Sequence, residues 1–270
     1  MPGDPDPLYV LARATLLDAL DALAEHLGAI VLVGAQAVYH YTGESDIPGA
    51  EFTTDADLTI EPKLLSAEPL LADSMTQAGF RRQIQPGSWL SASGVVVDLM
   101  VPRLLAGEGR RGARLGVHGY SAARQADGLE ASLVDRERAV ISSLDAGDPR
   151  SREIWIAGPG ALVVAKTIKI EERIGSDHRS QDKDALDLFR LLQSISTSDL
   201  ARRFEILRAD PLSAQVRSRA LRILPDLFGS AAHPGVVMAR RAAGSLGSEE
   251  AFVVGDSLVM LVSDLLGELR

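Results

Sequence analysis

Two aspartates stand one residue apart in FTTDADLTI, residues 52–60. The apolar positions around Asp55 and Asp57 predict a partly buried strand, and side chains two positions apart on a strand point to the same face. Two carboxylates placed there repel each other and are costly to bury without a partner. A divalent cation removes that cost, and Mg²⁺ typically takes one or two carboxylates together with substrate phosphates. The pair therefore predicts a Mg²⁺ site, with an ion pair or solvation at the strand end as the alternative.

A third aspartate interrupts another apolar run. Asp98 follows three valines in GVVVDLMVP, residues 94–102, which predicts a strand carrying a charge that needs a partner. Three carboxylates on adjacent strands can form a one- or two-metal site for in-line phosphoryl chemistry. Asp55, Asp57 and Asp98 are therefore the candidate metal ligands.

A glycine stands where the first predicted strand meets a helix. The run AIVLV at 29–33 predicts a buried strand, and Gly34 precedes AQAVYHY at 35–41, which predicts a short helix. A small residue at this junction lets a phosphate approach the backbone N–H groups of the helix start. Because many strand-to-helix turns carry glycine, an ordinary turn is the alternative.

The remaining periodicity divides the chain into an α/β part and a helical part. Before residue 157 it predicts further helices at 8–27 and 65–79, strands at 80–85 and 154–157, and an exposed loop or irregular hairpin over 103–130. Pro159 suits the first turn of a helix. Helical patterns then follow at 158–174, 183–195, 198–208, 211–227 and 249–269. We expect an α/β domain over residues 1–157 and a helical domain over 158–270.

Composition limits the classes of protein to consider. The 270 residues are 46% hydrophobic and include no cysteine, which allows a sizeable core and excludes disulfides and cysteine-based zinc sites. No apolar run reaches the roughly 18 residues of a membrane span, and MPGDPDPLYV is unlike a signal peptide, so we expect a cytoplasmic protein. The net charge of -9 argues against a dedicated duplex-DNA binder. Arginine-rich stretches at 103–114 and 202–222 oppose that average, and solvated surface is the simpler interpretation.

The order of these motifs resembles a known family. A strand, then Gly34-Ala35-Gln36-Ala37 opening a helix, then Thr53-Thr54-Asp55-Ala56-Asp57 on the next strand, then Asp98, resembles the polymerase-beta-type nucleotidyltransferases. The segment AKTIKIEERIGSDHRSQDKDALDL looks like the K…R…KD-x-x-DL signature of the AbiEii-type (MenT-like) nucleotidyltransferases, toxins of type IV abortive-infection and toxin–antitoxin systems. Its matching residues are Lys166, Arg173, Lys183, Asp184 and Asp187. The resemblance covers about residues 28–192.

The resemblance implies a nucleotidyltransferase-like mixed sheet with flanking helices, followed by a helical bundle. It implies transfer of NMP from an NTP to the 3′ end of tRNA, with Mg²⁺ as cofactor and a cognate antitoxin as a further partner. The implied catalytic residues are Asp55, Asp57, Asp98, Lys166 and Asp184. The implied nucleotide-binding residues are Gly34, Ala35, Thr53, Lys166, Lys183 and Asp187. Spacing also places Lys183 and Asp187 on one helix face, which is equally typical of a surface salt bridge.

Two positions depart from the family pattern. Glu51 stands where family members commonly carry an arginine, and Ala35 replaces a glycine or serine. These departures concern the substrate and the activity, since the three carboxylates are present. Two alternatives stay open: transfer to a small molecule or a protein hydroxyl, and an inactive relative that binds nucleotide or a partner protein.

Overall fold

The computed structural model describes residues 6–43, 53–174, 182–244 and 247–270. The chain forms two compact units, apart from the residues not described. The sheet unit contains Met1–Gln36, Phe52–Leu129 and Arg136–Ala157, and the helical unit contains Ala37–Glu51, Glu130–Asp135 and Gly158–Arg270. Both the predicted domains and these units divide the chain after Ala157, and the helical unit also takes in two earlier segments.

The sheet unit is built on one mixed sheet, whose described strands lie in the order β3-β4-β5-β2-β1-β8-β7, with β6 paired to β5. The strands are β1 (Ile30–Val33), β2 (Asp55–Ile60), β3 (Arg81–Arg82), β4 (Ser88–Leu90), β5 (Val96–Pro102), β6 (Arg124–Ala126), β7 (Arg136–Ser142) and β8 (Ser151–Ala157). All four residues of β1 are buried, which suits its apolar sequence IVLV and its place between β2 and β8.

Three helices accompany the strands in the chain up to Gln77: α1 (Pro7–Ala22), α2 (Gly34–Thr42) and α3 (Leu71–Gln77). Asp6 caps α1, because its side chain accepts a hydrogen bond from the Leu8 N–H at 2.7 Å, and Pro7 occupies the first turn. The helix packs on β2, β5 and β8 through an apolar face that includes Leu16 and Leu20. It thereby covers the strands that carry the carboxylates.

The described part of the helical unit contains six α-helices after Ala157. They are α4 (Pro159–Arg173), α5 (Lys183–Ser194), α6 (Thr197–Ala209), α7 (Ala214–Phe228), α8 (Pro234–Ala243) and α9 (Glu249–Glu268). Asp135 fixes the start of α4 by accepting a hydrogen bond from the Ala161 N–H at 3.0 Å. Phe204 and Phe228 are among the largest buried side chains of this unit. No helix in the described ranges combines the length and the apolar character needed to cross a bilayer.

The predicted fold class is confirmed: the chain has a mixed sheet with flanking helices and a helical C-terminal part. Several element predictions were wrong in extent. The helix predicted over 8–27 ends at Ala22 and is followed by a 3-10 helix, and the helix predicted over 65–79 is only α3. Strands β4, β6 and β7 and helix α8 were not predicted. The predicted loop at 44–51 lies outside the described residues.

Candidate active site

The register of the central strands places three carboxylates on one face of the sheet. Asp57 of β2 is the direct partner of Asp98 on the parallel strand β5, so their side chains leave the sheet on the same side. Asp55 precedes Asp57 by two residues and joins them on that side. Asp55 is exposed, and the other two carboxylates are half-buried. The structure thus places the three predicted ligands on one face of the sheet, and their binding of a metal stays a prediction.

Gly34 faces one of these carboxylates. Its φ of 70° lies in the left-handed region, and a Cβ at this position would collide with the Asp57 carboxylate and lie 2.8 Å from the Asp57 Cβ. The register explains the approach, because Val33, which precedes Gly34, pairs with Asp57. The carboxylate therefore stands beside the first residue of α2, where the helix dipole favours negative charge. Phosphate binding at Gly34 and at the half-buried Ala35 stays a prediction.

A buried hydrogen-bond network that the sequence did not predict holds the start of β2. The side-chain amide of Gln36 donates to the Asp55 backbone oxygen at 3.0 Å and to the Ala12 backbone oxygen at 3.2 Å. Its amide oxygen accepts from Arg13 Nε at 3.0 Å. Gln36 is 1% exposed. These bonds tie β2 to α1, and the signal for them was the polar residue inside the otherwise apolar sequence LVGAQAV.

Thr53 and Asp55 are also joined directly. The buried Thr53 hydroxyl donates to Asp55 Oδ1, although β2 begins only at Asp55. Thr53 therefore orients a predicted metal ligand, and a direct contact from Thr53 to a nucleotide stays a prediction. Glu51, the departure from the family pattern, lies outside the described residues.

Asp98 has a protein partner. Its Oδ2 accepts a hydrogen bond from Arg124 Nη2 at 2.9 Å, and both side chains are about one-fifth exposed. Arg124 lies on β6, two strands from β2. Among the described residues, no group of three His, Cys, Asp or Glu side chains is drawn together closely enough to hold a metal ion. The oxygen ligands suit Mg²⁺ by type, and Oδ1 of Asp98 can face a cation while Oδ2 accepts from Arg124.

The second predicted set forms a buried ion cluster between α4 and α5. Lys166 Nζ donates to Asp184 Oδ1 and to Asp187 Oδ2, at 2.7 Å in both cases. The three side chains are at most 5% exposed. Further cations surround the two carboxylates: Lys169 at 3.3 Å and Arg173 on Asp184, and Arg190 at 3.0 Å on Asp187. The ammonium of Lys166 is thus already neutralised within the helical unit.

The ion pairs shift the pKa values of this cluster. Burial alone would lower the pKa of Lys166, but the charges of Asp184 and Asp187 outweigh it and hold that pKa well above its usual range. Burial would raise the pKa of Asp184, but Lys166, Lys169 and Arg173 hold it well below its usual range. Both groups therefore stay charged throughout the physiological pH range.

The remaining predicted residue, Lys183, is half-buried at the first position of α5. The carboxylate of Asp187, which the sequence pairs with Lys183 by spacing, accepts from Lys166 and Arg190. The direct nucleotide contacts predicted for Lys166, Lys183 and Asp187, and the catalytic role predicted for Asp184, stay predictions.

Comparison with known proteins adds little. No protein-family model matches the chain, and no curated protein matches it. The chain is similar to the solved structure of the Bradyrhizobium diazoefficiens CD-NTase CdnG in complex with GTP, at 14% sequence identity over 97% of this chain and 90% of that chain, with a TM-score of 0.23. A TM-score this low transfers no property of that enzyme to this chain. The AbiEii-type family is not confirmed, and the resemblance remains one of motifs.

Proposed function

We propose that the chain transfers a nucleotidyl group from an NTP to an acceptor hydroxyl. The observation that carries the proposal is the register of Asp57 with Asp98, which puts them and Asp55 on one face of adjacent strands. Such a face suits phosphoryl transfer, in which the protein contributes mainly position and charge stabilisation. Gly34, the first residue of α2, supports the same proposal, since backbone N–H groups at a helix start can bind a phosphate.

In this proposal Asp55 and Asp57 would hold Mg²⁺, with Asp98 as the third ligand, and the ion would supply positive charge to the triphosphate. Thr53 orients Asp55, and Gln36 holds the backbone of the same residue. The acceptor oxygen attacks the α-phosphorus, and the bond to the bridging oxygen breaks so that pyrophosphate leaves. The Asp98 carboxylate takes the proton of the acceptor hydroxyl.

The finer proposal names the acceptor. We propose the 3′ end of tRNA, and a toxin of a toxin–antitoxin system as the biological role, with a cognate antitoxin as partner. The support is the motif series that ends in Lys183, Asp184 and Asp187. Transfer to a small molecule or to a protein hydroxyl is the corresponding alternative.

A second candidate function is an inactive relative that binds nucleotide or a partner protein. The specific observation in its favour is the Asp98–Arg124 ion pair, because it occupies one of the three carboxylates. The lack of a ready three-ligand group among the described residues points the same way. This candidate predicts nucleotide or partner binding without transfer.

The test is incubation of the protein with total tRNA, Mg²⁺ and each α-phosphate-labelled NTP in turn. Asp57→Asn removes a carboxylate of the site, and Asp73→Asn makes the same change at an exposed position of α3 in the same unit. We expect label on tRNA that Asp57→Asn abolishes and Asp73→Asn preserves. Mg²⁺-dependent NTP binding by calorimetry without label on tRNA would contradict the tRNA acceptor alone. NTP binding without transfer to tRNA, protein or small hydroxyl compounds would favour the inactive relative.

A further inference from the structure

A cavity of about 870 Å³ lies in the sheet unit, outside the carboxylate face. It is formed by the segment between β5 and β6 that the sequence identified as an arginine-rich loop. Arginine, glycine and one tyrosine dominate its wall, including Arg110, Arg111, Arg114, Leu115, Gly112 and Tyr120. Its volume is near the upper end of the roughly 300–1,000 Å³ of small-molecule pockets. Three arginines lie among its lining residues, beside apolar surface.

The three arginines of the cavity offer their charge to a ligand. All three are exposed, and neither Arg110 nor Arg111 has an ion-pair partner within the described residues. Arg114 Nε donates to the backbone oxygen of Glu108 at 2.7 Å, which holds this side chain at the cavity. Glu108 is the one acidic residue of the wall. The cavity therefore carries an excess of positive charge in a chain whose net charge is -9.

The other arginine-rich stretch behaves differently, which makes the cavity distinctive. Five arginines between residues 202 and 219 pair with carboxylates of the helical unit: Arg202, Arg203, Arg208, Arg217 and Arg219. Their charge serves internal ion pairs. The simpler interpretation of both arginine-rich stretches was solvated surface. It therefore describes the stretch at 202–222 better than the stretch at 103–114 that forms the cavity.

Tyr120 supplies an aromatic surface on a fixed backbone. Tyr120 is 71% exposed, so its ring is accessible to a ligand. Its backbone oxygen lies so close to Gly112 that a Cβ there would collide with it. The Gln125 side chain donates to the Gly112 oxygen at 3.0 Å, and the Gln125 N–H donates to the Arg111 oxygen at 2.8 Å. The tyrosine and the arginines thus stand on one hydrogen-bonded framework.

We propose that this cavity binds single-stranded nucleic acid, with phosphates on Arg110, Arg111 and Arg114 and an unstacked base on Tyr120. Grooves that combine cations with an exposed aromatic ring are the usual means of binding single strands. A duplex hides its bases in the stack, so it cannot use Tyr120 in this way. The overall negative charge also opposes binding through phosphates alone.

Strand β6 links the segment that forms the cavity to Asp98, one of the three carboxylates on the sheet face. Gly112 forms a β-bridge with Arg124, and Arg124 donates to Asp98. In this proposal, the end of a nucleic-acid strand bound in the cavity is the acceptor at the carboxylates. That acceptor role rests on the proposed function, whereas binding of the strand does not require transfer.

The test is fluorescence anisotropy with 5′-labelled eight-nucleotide RNA and DNA of one mixed sequence, beside the blunt duplex. We expect one or both single strands to bind more tightly than the duplex. Tyr120→Ala should weaken binding by about 5- to 150-fold, the equivalent of about 1–3 kcal/mol per stacked base, and Tyr120→Phe should preserve it. The double variant Arg110→Gln/Arg111→Gln should reduce the slope of log K against log salt by about 1.4, at about 0.7 per phosphate contact.

The matched control is Arg202→Gln/Arg208→Gln, which removes the same charge from side chains that are 68% and 67% exposed in the helical unit. Far-ultraviolet circular dichroism verifies that each variant is folded. The proposal would be overturned if the control variant weakened single-strand binding as much as Arg110→Gln/Arg111→Gln does. Equal affinity for the duplex would also overturn it, as would mononucleotides that compete as tightly as the oligonucleotides. Asp57→Asn should bind the strands normally, so loss of transfer with intact binding contradicts only the proposed function. Transfer that survives without single-strand binding contradicts only the cavity.

Discussion

Replacing Lys166 by methionine tests whether this lysine belongs to the framework of the helical unit. Its ammonium donates to Asp184 and Asp187 at 2.7 Å, and the three side chains are at most 5% exposed. Removing one partner of a buried ion pair costs about 3–5 kcal/mol, because a buried charge loses its compensation. Each carboxylate keeps at least one other cation. We therefore expect a loss near the lower end of that range, about 3 kcal/mol.

Two optical signals allow the helical unit to be followed separately. Trp89 and Trp155 both belong to the sheet unit, whereas α4 to α9 contribute most of the circular dichroism at 222 nm. With a urea slope of about 1–3 kcal/mol/M, the expected loss lowers the 222 nm midpoint by about 1–3 M. Lys169→Met is the matched control, because its side chain is 39% exposed and its pair with Asp184 is worth about 0–1 kcal/mol.

Equal midpoints for Lys166→Met and Lys169→Met would refute this reasoning. The ammonium of Lys166 would then contribute no more than an exposed lysine, and its pairs with the two aspartates would not persist in solution. A large loss of stability with unchanged NTP binding would assign Lys166 to the framework and remove it from the nucleotide site.

Three further predictions concern the two sites. Gly34→Ala should lower the melting temperature more than Gly79→Ala does, and calorimetry should show a larger loss of Mg²⁺-dependent NTP binding. Both glycines have a positive φ, which costs alanine about 1–2 kcal/mol, but only a Cβ at Gly34 would collide with Asp57. Gln36→Leu should cost about 1–3 kcal/mol in urea unfolding, because buried donors and acceptors lose partners; a loss under 0.5 kcal/mol contradicts this. The stability difference between wild type and Asp184→Asn should be constant from about pH 5 to 9 and shrink below about pH 4; a difference unchanged at pH 2–3 contradicts this.

The sign of the pH prediction follows from the two pKa shifts. The lowered pKa of Asp184 gives stability that is present above the unfolded value of about 3.9 and is lost as the pH falls through the folded value. The raised pKa of Lys166 gives stability that is present below its unfolded value of about 10.4 and is lost as the pH rises through the folded value. Neither group titrates between about pH 5 and 9, so the cluster is constant there.

Local patterns predicted the elements that carry the candidate site. The spacing of Asp55 and Asp57 in FTTDADLTI put them on one face of a strand, and the apolar run of valines before Asp98 predicted a second strand. The register that brings Asp57 beside Asp98 joins segments 41 residues apart and depends on strand pairing, which no local pattern contains. Short strands such as β4, with three residues, offer too little periodicity to be recognised.

The sequence did not predict the ion-pair and hydrogen-bond partners that lie far apart along the chain. Spacing on one helix suggested that Lys183 pairs with Asp187, but the packing of α4 against α5 brings Lys166 to that carboxylate instead. Arg124 and Asp98 are separated by 26 residues, and Arg13 and Gln36 by 23. A charged residue in an apolar segment of the sequence indicates that a partner is needed, but the identity of that partner depends on the tertiary fold.

Asp98 is where the proposed reaction and the proposed strand-binding cavity meet. Its register with Asp57 commits it to the carboxylate face, and its hydrogen bond from Arg124 ties it to β6 and, through the bridge to Gly112, to the arginine-rich wall. A cation can be held by Oδ1 of Asp98 while Oδ2 keeps its hydrogen bond from Arg124, so metal binding leaves β6 and the bridge to Gly112 in place. Metal binding and nucleic-acid binding are therefore separable, which is why Asp57→Asn should abolish transfer and leave the affinity for single strands unchanged.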